Sequence, residues 1–212
     1  KLNAFSDAML LSLIDAVDEC ESSDKVNVII LTGSGRGFCS GGDINEMGAK
    51  AADSPLNAEH YITEIIQAFP KRLMQLEKPI IAAINGVAAG GGLDFALACD
   101  FRVASENATF AETYVRIGLL PGAGGSWLLP KIVGEGMAME MLLSGNFIDA
   151  KEALRIGLIN HLWSDKSLMD NTFQLAKNIA TNPRYSVKTI KRLVRQNTTE
   201  SFFSNLESVA AH

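Results

Sequence analysis

The chain has 212 residues, 47% of them apolar and 20% charged, which is enough to bury a sizeable core in one domain or a domain with a small appendage. No apolar run reaches the roughly 20 residues a membrane helix needs, so no membrane span is expected. The net charge of −5 argues against nucleic acid as a main partner, because a polyanion requires a net basic face. Three cysteines (Cys20, Cys39, Cys99) are odd in number and widely spaced, and read as reduced core thiols of a soluble intracellular protein. The sequence starts at Lys1 without methionine, so targeting cannot be judged from it: the expectation is cytoplasmic in a bacterium, with an organelle left open.

In chain order, Ser6-Asp7 caps a helix carrying Leu10, Leu13, Ile14 and Val17 at helical spacing to about Ser22. Val26–Thr32 (VNVIILT) is a nearly continuous β-branched run, predicting a strand buried on both faces. A glycine-rich loop, Gly33 to Asp43, follows it, and a single helix is predicted from Pro55 to Leu76. Pro79–Ile84 predicts a second buried strand, turning at Asn85-Gly86 into Gly90-Gly91-Gly92 and a helix that carries Leu93, Ala96 and Leu97 inward. A short strand at Phe101–Ala104 completes an α/β pattern. Helices are then expected at Gly124–Val133, Glu135–Leu143, Asp149–Ile156, Ser167–Ala180 and Ser186–Arg195, with a last segment over Thr199–Ala211. No fixed-period repeat is visible. The composition shift near residue 162 divides the chain into an α/β core, 1–162, and a helical region, 163–212.

Several chemistries find no support. No Gly-Lys-Ser/Thr follows a glycine cluster, and Ser40 has Phe38 where a nucleophile elbow needs glycine. The three histidines (His60, His161, His212) have no ligand spacing with another His or Cys, so no metal site is expected. Two glycine-rich turns remain, GSGRGFCSGGD (Gly33–Asp43) and NGVAAGGGLD (Asn85–Asp94). They read either as tight turns where glycine tolerates positive φ or as ligand-binding backbone; neither carries a clean dinucleotide fingerprint. A helix beginning at Gly91 leaves its first amides unpaired, able to hold developing negative charge. Asp94, three residues on, shares that face and leans back toward those amides. Such an amide beside a proton-accepting carboxylate suits proton abstraction next to a carbonyl. The plainer reading of Asp94 is a favourable first-turn charge.

The sequence resembles the crotonase superfamily, the enoyl-CoA hydratase/isomerase family, from end to end. The resemblance runs through KLNAF (Lys1–Phe5), VIILTGSGRGFCSGGDINEM (Val28–Met47), KPIIAAINGVAAGGGLDFALACDFRVAS (Lys78–Ser105), IGLLPGAGG (Ile117–Gly125) and AMEMLLSGNFIDAKEALRIGLIN (Ala138–Asn160). It implies a spiral of ββα units with a helical C-terminal region that forms a homotrimer or a dimer of trimers. It also implies an acyl-CoA thioester substrate, with coenzyme A part of that substrate and no further cofactor. The thioester oxygen would be held by the amides of Gly42 and Gly91. Lys1, Ala4, Ser40, Ile44, Gly90, Pro121 and Gly122 would border the substrate.

The departures bear on the reaction. Family hydratases use two glutamates; the first falls on Asp94 and the second on Tyr114. Glu112, two residues earlier, is read either as a catalytic acid or as a solvated charge, and Tyr114 as a hydrogen-bonding wall or core packing. Some isomerases and dehalogenases of the family carry an aspartate where this chain has Gly122, which disfavours their chemistries. One carboxylate suffices to move a proton between carbons, so double-bond isomerisation of an enoyl-CoA is expected. Hydration and a non-catalytic acyl-CoA-binding scaffold are the alternatives. Lys188, Lys191, Arg192 and Arg195 form a basic stripe, read as a solvated face or a contact for coenzyme A phosphates. Phe202 and Phe203 are expected over the acyl group or in a subunit contact, and family members normally continue beyond His212.

Overall fold

The computed structural model describes residues 2–43, 55–196 and 201–210. Helix α1 (Asp7–Ser22) starts as predicted at Ser6, whose hydroxyl accepts from the Met9 amide at 3.3 Å. Strands β1 (Ile29–Thr32) and β2 (Gly37–Cys39) follow. The predicted single helix is instead α2 (Pro55–Tyr61) and α3 (Ala68–Gln75), joined by a π turn at Ile62–Ile66. Next come β3 (Ile80–Ile84), β4 (Val87–Ala89) and α4 (Gly91–Ala98), then β5 (Phe101–Ser105) and β6 (Thr109–Ala111). A 3-10 turn at Thr113–Ile117 leads to α5 (Gly125–Val133) and α6 (Glu135–Ser144). The chain finishes with β7 (Ile148–Asp149), α7 (Ala150–Arg155), β8 (His161–Trp163), α8 (Leu168–Ala180), α9 (Arg184–Gln196) and α10 (Phe202–Ala210).

These elements wind as ββα turns. In the first three turns the first strand enters a parallel sheet, β1-β3-β5, and the second enters another, β2-β4-β6; β7 then joins the second sheet and β8 the first, giving the orders β1-β3-β5-β8 and β2-β4-β6-β7. Only β7 runs antiparallel, against β6. This is the expected spiral. Its turns differ in length, since Ile29 pairs with Ile80 but Ile81 with Phe101, so no fixed sequence period exists to be seen.

Alternation along the strands explains the packing. In β3, Ile80, Ala82 and Ile84 face the main core, which contains Phe69, Leu73, Leu93 and Phe110, whereas Ile81 and Ala83 face a smaller cluster closed by Leu168 and Ala176 of α8. Strand β1 follows the same rule: Ile29 and Leu31 pack on the main core, Val28 and Ile30 on the α8 side. Its residues are nevertheless only half-buried, not sealed on both faces as expected, because β1 is the edge of its sheet. Phe95 sits between Phe69, edge-on at 5.0 Å, and Phe5 at 4.8 Å, tying α4 to α3 and to the N-terminal segment. All three cysteines are free; burial pushes the Cys39 thiol up to about 11 and the Cys99 thiol up to about 12. No helix among the described residues is long and apolar enough to cross a membrane.

The basic stripe on α9 divides: Arg192 is exposed, as a solvated face would be, whereas Lys191 and Arg195 turn inward and Lys188 reaches across to the segment just beyond α3. The Lys191 side chain is 7% exposed, with its ammonium 2.8 Å from Asp100 Oδ2 and donating to the Lys78 carbonyl at 2.7 Å. Arg195 donates to Asp100 Oδ1 at 2.8 Å and to the carbonyls of Leu73 and Met74. Lys188 meets Glu77 at 3.1 Å. The stripe therefore latches α9 onto the C-terminal ends of α3 and α4. Asp100 is the hub, since it also accepts from the Ile80 amide at 2.8 Å. Removing it leaves the Ile80 amide without an acceptor and two inward cations without their counter-charge, so Asp100→Ala is expected to cost about 2–4 kcal/mol in urea unfolding. A cost below about 0.5 kcal/mol would mean that the latch holds nothing.

Candidate active site

The two glycine-rich turns lie backbone against backbone. A Cβ on Gly92 would stand 2.3 Å from the Cys39 carbonyl oxygen, and one on Gly86 would stand 2.1 Å from that of Arg36. Gly41 approaches from the other side, its Cβ position 3.2 Å from the Ala89 carbonyl and 3.8 Å from the Gly91 nitrogen. Positive φ, one of the two readings of these turns, applies at Gly35 (73°), Gly41 (98°) and Gly90 (51°); at Gly86 and Gly92 glycine is required by close approach instead.

The N-terminal segment fixes the first turn. Phe5 donates to the Gly41 carbonyl at 2.9 Å, Asp43 donates to the Phe5 carbonyl at 3.0 Å, and Ser40 donates to that of Leu2 at 3.1 Å. Ala4 and Ser40 thus lie on this zipped edge, and Gly42 is bridged to Phe5. Lys1 and Ile44 lie outside the described residues. Among the described residues, neither the Gly42 N–H nor the Gly91 N–H has an acceptor. Gly91 begins α4, where an unpaired amide is the normal state of a helix N-terminus.

Asp94 lies on the first turn of α4, as the spacing from Gly91 predicts, and has no exposed surface. The Tyr114 hydroxyl donates to Asp94 Oδ2 at 2.6 Å. That hydroxyl also lies 3.3 Å from the Cβ position of Gly91, and the Tyr114 ring is 3.9 Å from that of Gly90. Tyr114 is therefore a hydrogen-bonding wall between the second turn and the acid, not core packing.

Glu112 is not a solvated charge. It has no exposed surface, because its position just beyond β6 directs it inward beneath the N-terminus of α5. There it meets Asp94 across Gly125, whose Cβ position is 2.2 Å from Asp94 Oδ1 and 3.1 Å from Glu112 Oε1. Gly125 and the Ala123 backbone went unnoticed in the sequence. The glycine run Gly122-x-Gly124-Gly125 is the only signal there that two backbones must approach.

Burial pushes the Asp94 carboxyl up to about 6. The Tyr114 hydrogen bond, and then the nearness of Glu112 and of the Ala123 and Gly125 backbone, hold it from rising further. Glu112 is pushed well above the ordinary range by burial and then by the adjacent Asp94 charge. The Tyr114 phenol is raised by the same two causes.

Pro121 and Gly122 border two different clefts. Gly122 lines one of about 480 Å³ with Gln67, Pro70, Met74 and Trp127. Pro121 lines another of about 280 Å³ with Tyr114, Leu120, Met139 and Leu142. The structure thus gathers Gly90, Gly91, Asp94, Glu112 and Tyr114 around the edge that carries Gly41 and Gly42. Pro121 and Gly122 flank that cluster.

Known proteins share this arrangement of chain. The enoyl-CoA hydratase/isomerase family matches residues 1–209. A 1,2-epoxyphenylacetyl-CoA isomerase of Escherichia coli is 35% identical over 211 residues, covering 98% of this chain and 79% of its own. A short-chain-enoyl-CoA hydratase of Clostridium acetobutylicum is 37% identical over 196 residues, covering 92% and 74%. The crystal structure of an enoyl-CoA hydratase from Bacillus anthracis superposes with a TM-score of 0.92 at 32% identity, over 99% of this chain and 80% of that one. The spiral fold, the two apposed glycine-rich turns and these likenesses agree: the chain belongs to the enoyl-CoA hydratase/isomerase family and is an enzyme of that type.

Proposed function

We propose that the protein moves the double bond of an enoyl-CoA thioester. In this reading the thioester oxygen accepts from the N–H groups of Gly42 and Gly91, which stabilise the negative charge that develops there. The Asp94 carboxylate takes the proton from the carbon next to the thioester of a 3-enoyl chain. The C–H electron pair enters the thioester as an enolate. Collapse of that enolate through the conjugated double bond recovers the same proton from Asp94 at the far carbon, giving the 2-enoyl product with atoms and charge balanced.

The observation that carries the reading is the Tyr114–Asp94 hydrogen bond at 2.6 Å. Water addition needs a second base beside the first to orient the water, and the residue in that place is a phenol already engaged with Asp94. Glu112 lies behind Asp94 on its Oδ1 side, across Gly125, away from the Tyr114 contact on Oδ2. A single carboxylate beside the Gly91 turn serves proton transfer between carbons and serves hydration poorly. The homotrimer or dimer of trimers implied by the family belongs to the same proposal. Phe202, Phe203, Leu206 and Val209 of α10 are exposed and would supply an apolar contact between subunits.

Purified protein is expected to convert a 3-enoyl-CoA to its 2-enoyl isomer faster than it hydrates the 2-enoyl ester. Asp94→Asn should lower isomerisation by about 10²–10⁴-fold, the usual worth of a general base. Tyr114→Phe should cost less, about tenfold, since it removes one hydrogen bond to the anion. Hydration that exceeds isomerisation and survives Tyr114→Phe would replace this reading. Because Asp94 must be ionised to accept a proton and its carboxyl stands at about 6, kcat/KM for isomerisation should fall as pH drops below about 6. A profile flat to pH 4.5 would remove Asp94 from the role.

A further inference from the structure

Asp94 and Glu112 present a charge problem that the hydrogen bonds between described residues leave unsolved. Three buried carboxyl oxygens, Asp94 Oδ1 and both oxygens of Glu112, have no donor. Among the described residues neither acid forms an ion pair, and the charge acting on Glu112 is that of Asp94 alone. Burying one unpaired carboxylate costs several kcal/mol, and a second beside it adds direct repulsion. A single proton between the two acids removes both penalties and supplies a donor where none exists.

The surroundings decide which acid holds it. From the 3-10 turn, Tyr114 donates to Asp94 Oδ2. From the start of α5, the backbone of Ala123 and Gly125 lies against Asp94 without donating to Oδ1 and favours its anion, and the positive end of that helix adds to this. From β2, Cys39 packs against Gly92 as a neutral thiol. Glu112 receives none of this support.

We infer that Glu112 is a carboxylic acid in the working enzyme, donating its O–H to Asp94 Oδ1 and holding Asp94 as the ionised partner. Glu112 is then a positioning residue. Each Asp94 oxygen keeps a second lone pair for the substrate proton while its direction is fixed from two sides. The idea deepens the isomerase reading, since a base held this way has one proton-accepting task, but the proton's location does not depend on which ester is turned over.

The test reads the proton directly. Infrared spectra at pH 8 of protein labelled with carboxyl-¹³C glutamate should contain a buried carboxylic acid C=O band that shifts with the glutamate label and not with an aspartate label. Its absence, or a shift on aspartate labelling instead, overturns the assignment. The wild-type chain suffices for this.

Variants add a second readout. Glutamine keeps a donor toward Asp94, so Glu112→Gln should stay within about tenfold of wild type in isomerisation, with the acid limb of its pH profile in place. Glu112→Leu removes the donor; kcat should fall more than KM changes, and the acid limb should move upward. Stability gives the sign independently. An acid whose folded value is raised contributes fully below its unfolded value, and that contribution is lost as pH rises through the folded value. The stability of Glu112→Gln relative to wild type should therefore improve from pH 4 to pH 9. A difference constant over that range would mean that Glu112 ionises as it does in the unfolded chain, and the proposal would fall. Loss of the isomerase reading with the glutamate band intact leaves it standing.

Discussion

The site depends on two stretches of bare backbone touching. Gly86 and Gly92 press against the carbonyls of Arg36 and Cys39 at distances no side chain could tolerate. That contact sets the Gly91 amide beside the Gly41–Gly42 turn. Any Cβ at the seam would separate the two amides that the proposed chemistry requires to converge. The N-terminal strip Leu2–Phe5 and the Phe5–Phe95–Phe69 ring cluster hold the seam closed from outside. The spiral fold is what makes this possible: β2 and β4 are neighbours in one sheet, so the turns leaving each arrive side by side.

Against that rigid seam the chemistry rests on a few inward acids. Burying Asp94 raises its carboxyl to about 6, where it changes charge near the working pH of a general base. The cost is met locally by Tyr114, the start of α5 and, in our inference, a proton kept on Glu112. These groups come from three separate elements, so the site joins the α4 turn to the β6–α5 connection. The Asp100 hub performs a different task. It fastens α9 to the far side of the core and has no part in the site.

Much of this was legible in the sequence, for identifiable reasons. Long periodic segments such as α1 and α8 declared themselves, and so did the β-branched strand at Ile80–Ile84. The pairing of Gly91 with Asp94 followed from helix geometry alone. What stayed hidden was non-local or short. The three-residue strands β2, β4 and β6 carry too little pattern to be read, and the second sheet went with them. Glu112 looked like a surface charge because residue type favours exposure, and only its contact with Asp94 across Gly125 reverses that prior. The α9 cations looked solvated because their partner, Asp100, is far away in sequence. Amphipathic spacing shows which face a helix offers but not what it meets.

The central claim is that this seam makes an enolate with Asp94 as the base. The most direct measurement offers a saturated acyl-CoA in D₂O and follows exchange of the protons next to the thioester by NMR, with no double bond to move and no water to add. The account predicts exchange catalysed by the wild-type protein and lost in Asp94→Asn. Tight binding of the ester without any exchange would contradict it.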